Sequence, residues 1–225
     1  MTAGYFGKLP ARSDFVTKGC PAGFLKAWEP FLMEGLARSR FDLKDAWQEA
    51  YMTMPVWRFW FSSPEPGGSF KERVTGALMP CVDKVGREFP LTIVVQLAGN
   101  GDECVAPEEW YSSAEAILLH TLEEGVDLSD FQNLVAGLAR PEAAVPLMNS
   151  RQSTELSARP DEVHVLRSVF WCKSADVQFA FECSGLPHAE EFQWLLLPEH
   201  HPENSSQSEA AGIHDGQFQS EDHRT

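Results

Sequence analysis

The chain has 225 residues, enough for one large domain or two small ones and for a substantial core. With 33 acidic against 18 basic residues its net charge is −15, a field that repels phosphate backbones and anionic bilayers and favours basic protein surfaces. Five cysteines (Cys20, Cys81, Cys104, Cys172, Cys183) without a CxxC pair fit reduced, buried thiols, and neither a secretory leader nor an apolar run of the ~20 residues that span a bilayer is visible. A cytoplasmic protein without membrane insertion is expected.

In chain order, residues 5–9 suggest a short strand before a loop at 10–14. Over 21–38 the residues Phe24, Trp28, Phe31, Leu32, Gly35 and Leu36 fall at helical spacing, with Pro30 implying a kink or a start near Glu29. Asp42 is placed to cap a second helix carrying Trp47 and Tyr51, ending before Pro55. Residues 56–61, aromatic and β-branched on both faces, read as a buried strand. Strands are predicted at 74–78 and 91–98. A helix opened by Pro107 carries Trp110, Ala114, Ile117, Leu118 and Leu122 up to Gly125, and another follows with Ser129 as cap and Phe131, Leu134, Val135 and Leu138 on one side. Residues 141–162 look irregular. Strands at 163–172 and 176–184 read as an antiparallel hairpin, and a last helix covers about 189–197. Residues 198–225 carry six acids and one arginine with only Ile213 and Phe218 large and apolar, so they read as a disordered acidic tail. The expected fold is a single α/β domain over 1–197, with one mixed sheet of about five or six strands covered by helices.

No catalytic, cofactor or metal motif is complete. Gly99-Asn-Gly-Asp-Glu-Cys104 lacks the third glycine of a dinucleotide fingerprint and puts two acids where a pyrophosphate would sit. Thr2 and Leu9 stand where a phosphate loop around Gly7-Lys8 needs a glycine and a hydroxyl. No GxSxG elbow occurs, and Cys183-Ser-Gly lacks its context. His120 and His164 sit in predicted elements where a structural role is the default, while His200, His201, His214 and His223 lie in the tail without a scaffold to fix ligand geometry. Neither metal nor cofactor is expected. Arg58, in the aromatic strand, requires a carboxylate partner or a rim position.

Two segments stand apart: Gly4-Tyr-Phe-Gly-Lys-Leu-Pro-Ala-Arg-Ser-Asp-Phe-Val16 and Leu78-Met-Pro-Cys-Val-Asp-Lys-Val-Gly-Arg-Glu-Phe-Pro-Leu91. Each crowds glycine, proline and charge between apolar anchors, as loops pinned to a core do. Lys8, Arg12, Ser13, Asp14, Asp83, Lys84 and Arg87 are the candidate interaction residues. Asp14 or Asp83 is expected to pair with Lys8, Arg12 or Arg87 and stitch the loops together. The same loops also suit a recognition surface. Asp83 and Arg87 are expected to be mainly structural, Asp14 and Lys8 more exposed. The competing expectation is a small-molecule-binding or hydrolytic site built from Asp14, Asp83 and Arg87.

Together with Met54-Pro-Val-Trp-Arg-Phe-Trp60, these segments closely resemble the TagF (ImpM) family of type VI secretion-associated proteins, over about residues 1–197. The resemblance implies a layered α/β domain and a non-enzymatic accessory protein that represses secretion post-translationally from the cytoplasmic side. The implied partner is a forkhead-associated scaffold protein or a membrane-complex component. Ser13 stands where the family commonly has glycine and Cys81 where it commonly has serine. The fused phosphatase domain of some relatives does not carry over, because the chain is too short and lacks an Asp-rich metal motif.

Overall fold

The computed structural model describes residues 2–62, 73–97, 104–141, 145–146, 167–174 and 177–202. Its strands are β1 (Gly4–Gly7), β2 (Val16–Lys18), β3 (Trp57–Ser62), β4 (Val74–Met79), β5 (Leu91–Gln96), β6 (Cys104–Val105), β7 (Val145–Pro146), β8 (Arg167–Ser174) and β9 (Val177–Ser184). The helices are α1 (Phe24–Leu43), α2 (Trp47–Met52), α3 (Glu108–His120), α4 (Leu128–Gly137) and α5 (Gln193–Leu196). One seven-stranded sheet runs β2-β1-β5-β4-β3-β8-β9, and β6 pairs with β7 in a small separate ladder.

The layered α/β arrangement is as expected, but the sheet has seven strands and each described pairing is antiparallel rather than mixed. Among the described residues, two helices separate β2 from β3 and two separate β5 from β8, so neither is the single-helix crossover that builds parallel neighbours. The predicted hairpin near the C-terminus is β8–β9, with Phe170 opposite Phe181.

Each face of the sheet has its own core. On one, α1, α2 and α5 cover Trp57, Phe59 and Phe61 of β3 with Val74, Leu78, Val94, Phe170, Cys172 and Phe181. On the other, α3 and α4 cover Trp60, Ala77, Met79, Leu91, Ile93 and Val95. Burial on both faces explains why β3 is aromatic at alternate and intervening positions alike.

Pro30 does not delay α1, which begins at Phe24 behind a left-handed Gly23. A proline inside a helix costs ~3 kcal/mol. Burying Phe24 and Trp28, stacked 5.4 Å apart with Trp28 4.6 Å from Phe59, offsets this, since each such side chain contributes about 1.5–3 kcal/mol. Close contact continues along the helix. A Cβ on Gly35 would lie 2.2 Å from the Phe192 ring, so only glycine lets that ring sit against α1.

Several local expectations are corrected. Asp42 is not a cap: α1 continues through it, and it pairs with Arg38 at 2.7 Å, while α2 follows a 3-10 turn at Lys44–Ala46. The cap of α4 is Asp127, whose carboxylate accepts from Ser129 and Asp130 while the Asp130 side chain accepts from Asp127 N–H, so Ser129 lies inside the helix. Helix α3 ends at His120, not at Gly125, and leaves Leu122 exposed. The final helix is four residues long, and the body extends beyond it. His201 is 4% exposed, stacked on Phe181 at 5.3 Å and edge-on to Trp194 at 4.5 Å, so it belongs to the core rather than to a tail. The 99–103 stretch, His164 and residues 203–225 lie outside the described residues.

Candidate functional site

The two glycine-proline segments meet at one end of the sheet, because β1 runs antiparallel to β5 and β4 antiparallel to β5. The first leaves β1 at Gly7 and turns at once, with Arg12 N–H donating to Leu9 O at 2.9 Å across Pro10, the residue that presets such a turn. The second is a hairpin tip. Asp83 N–H bonds Arg87 O and Gly86 N–H bonds Asp83 O, both at 3.0 Å, with Gly86 at φ 85, the pattern of a three-residue loop closed by a left-handed glycine.

Asp83 organises both loops. One carboxylate oxygen accepts from Val85 N–H and Arg87 N–H at 2.9 Å each; the other accepts from Lys8 Nζ at 2.5 Å and Arg87 Nε at 2.8 Å. Its side chain is inaccessible to solvent. Burial alone would raise the Asp83 carboxyl, but the hydrogen bonds from Lys8, the two backbone N–H groups and the Arg87 guanidinium outweigh it and hold it well below the usual carboxylate range. Across the seam, the Lys84 N–H donates to Arg12 O at 3.0 Å, and Ser13 O accepts from both Arg87 and Lys8. Ser13 thus contributes its carbonyl rather than its hydroxyl.

The stitch is therefore Asp83 with Lys8 and Arg87. The expectation that Lys8 is exposed is overturned: it is 5% exposed, with its ammonium 4.8 Å from the centre of the Phe15 ring. Its long stem buries with the strand while its head finds the Asp83 carboxylate. Arg12, Asp14 and Lys84 are exposed, and Asp14 forms no ion pair among the described residues. Asp14 is thus not brought together with Asp83 and Arg87 as a polar site. The perturbed carboxylate that is present has its acceptor positions occupied by the protein itself.

Sequence reasoning missed the apolar part of this surface. Phe15 is 46% exposed yet backed by Phe89 at 4.8 Å and Phe6 at 5.7 Å, and Val85 is 61% exposed at the hairpin tip. An aromatic and a valine inside strongly polar loops were the available signal.

Cys81, behind the hairpin, is an inert thiol. Burial pushes it up to about 12, and its backbone is held on both sides by the Tyr51 hydroxyl at 2.9 Å. Burial likewise pushes the Cys20 thiol up to about 11 and the Cys172 thiol up to about 12. Among the described residues no three His, Cys, Asp or Glu side chains are grouped to hold a metal, and no helix is long and apolar enough to cross a membrane.

Gly7 locks the loops to the sheet. Its φ is 139, and a Cβ there would lie 2.0 Å from Pro90 O, a backbone atom that cannot swing away. Gly7→Ala is expected to destabilise the fold by about 2–4 kcal/mol. Gly86→Ala has open space and pays only for its positive φ, about 1 kcal/mol. Denaturant midpoints of the two variants check the order, and a costlier Gly86→Ala overturns it.

These motifs on this layered α/β scaffold define a domain associated with type VI secretion: a family model for the TagF N-terminal domain, described as type VI secretion system-associated, matches residues 4–138. The chain belongs to the TagF family. It is also similar to PA0076 from Pseudomonas aeruginosa PAO1, whose crystal structure superposes with a TM-score of 0.69 at 32% identity, covering 87% of this chain and 94% of that one. No curated protein matches it. The family match ends at Leu138, whereas the sheet is completed by β8 and β9, which pack beside β3.

Proposed function

We propose that the protein is a non-enzymatic, cytoplasmic negative regulator of type VI secretion that acts after translation, by binding a component of the machine through its two stitched loops. A forkhead-associated scaffold protein or a membrane-complex component is the partner in this reading. The observation that carries it is the division of labour among the loop residues. Asp83 is consumed internally by four donors and fixes the geometry, while Arg12, Asp14 and Lys84 are exposed at the surface. Such a preordered loop surface suits contact with another protein, because little loop entropy is lost on binding.

The test pairs a thermal melt with co-purification and a secretion assay. Arg12→Glu and Lys84→Glu are expected to keep Tm within about two degrees, as exposed substitutions do, and to weaken capture of the partner and release secretion. Two variants that fold normally and still repress would remove the loops as the interface and turn attention to the outer helical faces.

A further inference from the structure

The surface of the two-loop unit has the opposite charge to the rest of the chain. Residues 8–14 and 83–87 together hold four bases (Lys8, Arg12, Lys84, Arg87) and two acids (Asp14, Asp83), net +2 on a chain of net −15. The buried Asp83 is answered by Lys8 below and one edge of Arg87, whose side chain is nevertheless 57% exposed. Glu88, the next acid, is turned away into an ion pair with Arg40 at 2.9 Å. The cations are not scattered: the backbone bond from Lys84 to Arg12 ties their two positions together, and Arg87 reaches across to Ser13 O. Among them the Phe15 ring, clamped on Phe6 and Phe89, offers a rigid apolar step.

We propose that this patch docks an acidic peptide segment of the partner protein, with an apolar side chain resting on Phe15 and carboxylates meeting Arg12, Lys84 and the outer edge of Arg87. The inference rests on the reading that the loops are the contact surface, and it names the chemistry of what they contact. Charge complementarity selects the occupant. A carboxylate-rich segment is repelled by the field of an acidic chain except at the basic patch, which fixes both place and orientation. Arginine offers carboxylates a planar fork, and arginine beside a half-buried aromatic is the composition that concentrates binding energy at interfaces. This reverses the expectation drawn from net charge alone, that basic surfaces are the favoured partners.

The experiment uses the full chain and fluorescence anisotropy with five labelled synthetic peptides. One alternates glutamate and aspartate around a central leucine; three replace the acids by lysine, by serine, or by phosphoserine alternating with serine; the fifth keeps the acids around a central glycine. The acidic peptide is expected to bind, to weaken roughly tenfold between low and physiological salt, and to lose binding in Arg12→Glu/Lys84→Glu. Lys26→Glu, at an exposed cation on α1 outside the two loops, should leave binding unchanged. Phe15→Ala should weaken the leucine peptide but not a glycine-centred version. Equal or tighter binding of the lysine peptide overturns the proposal, as does acidic binding that survives the double reversal. Binding of the phosphoserine peptide alone also overturns it, in favour of a phosphorylated partner. The secretion assay separates the two readings. Repression that persists in a double variant unable to bind the peptide refutes the function while leaving the site. Repression lost in a folded double variant, with no acidic peptide bound by the wild type, keeps the contact surface and refutes its acidic occupant.

Discussion

Asp83→Asn is expected to lower Tm by about 10 °C at neutral pH, one of the largest effects of any single polar substitution in this chain. An asparagine oxygen can still accept from the Val85 and Arg87 backbone, but its amide then points two N–H donors at Lys8 Nζ and Arg87 Nε, which are donors themselves. Lys8 is left as a buried ammonium against Ser13 O and the face of Phe15 alone. The pH dependence has a definite sign. The folded carboxyl is held below its unfolded value of about 3.9, so ionised Asp83 stabilises the fold fully above that pH, and the contribution is lost as pH falls toward the folded value. Wild type and Asp83→Asn should therefore differ most near neutrality and converge below about pH 4. Lys8→Met tests the same seam from the other side, leaving Asp83 with Arg87 and the two backbone donors. The double variant should be less destabilised than the sum of the singles, because the two side chains share one buried contact. An Asp83→Asn variant with an unchanged melt, or a Tm difference independent of pH, would show that the loops are not held by this carboxylate.

That stitch was legible in the sequence as a choice among pairings, and the structure selects among them for reasons spacing does not carry. Asp83 precedes a Lys-Val-Gly turn, and the N–H groups of Val85 within it and of Arg87 just after it point back at its carboxylate, so it becomes the acceptor, while Asp14 lies past the Leu9–Arg12 turn and faces solvent. The exposure of Lys8 was misjudged because a lysine one residue after a strand is usually a surface residue. Here the hairpin from β4 to β5 folds over it. The aromatic run of β3 was readable as a strand buried on both faces, since no polar position interrupts it other than Arg58. Antiparallel closure was not readable. It depends on which strands become neighbours across long connections, as β3 does with β8 and β1 with β5, and local periodicity is blind to that. Composition alone places His201 in the tail, yet its partners Phe181 and Trp194 lie on other elements.

Arg58 presents the second large effect, on the opposite face of the sheet from α1. It is 3% exposed on β3, and its guanidinium grips Glu115 of α3 through Nε at 2.5 Å and a second nitrogen at 3.1 Å. The remaining nitrogen donates to Glu108 at 2.6 Å, and the Tyr111 ring lies 5.2 Å away. Arg58 thus fastens α3 to the sheet, which is the carboxylate partnership its position demanded. Its two partners are unequal: Glu115 is 24% exposed, whereas Glu108 is 56% exposed and shared with Lys173 at 3.4 Å. Removing the arginine strands a partly desolvated Glu115, so Arg58→Ala is expected to cost about 2–4 kcal/mol, the lower end reflecting solvent around Glu108. Arg58→Lys should recover little, because a single ammonium cannot span both oxygens of Glu115. Glu115→Gln is expected to cost about 1–2 kcal/mol and Glu108→Gln well under 1 kcal/mol. An apolar replacement of the buried pair, Arg58→Met with Glu115→Leu, should regain most of what Arg58→Ala loses, since the desolvation of both charges is then avoided. Urea denaturation of the five variants gives the order, and a Glu108→Gln as costly as Glu115→Gln would break the assignment of Glu115 as the principal partner. Because α3 covers the sheet on its own face while the loops are held by the Asp83 stitch, folded members of this series should still bind whatever the loops bind. Loss of partner capture in a folded Glu108→Gln variant would extend the contact surface onto α3.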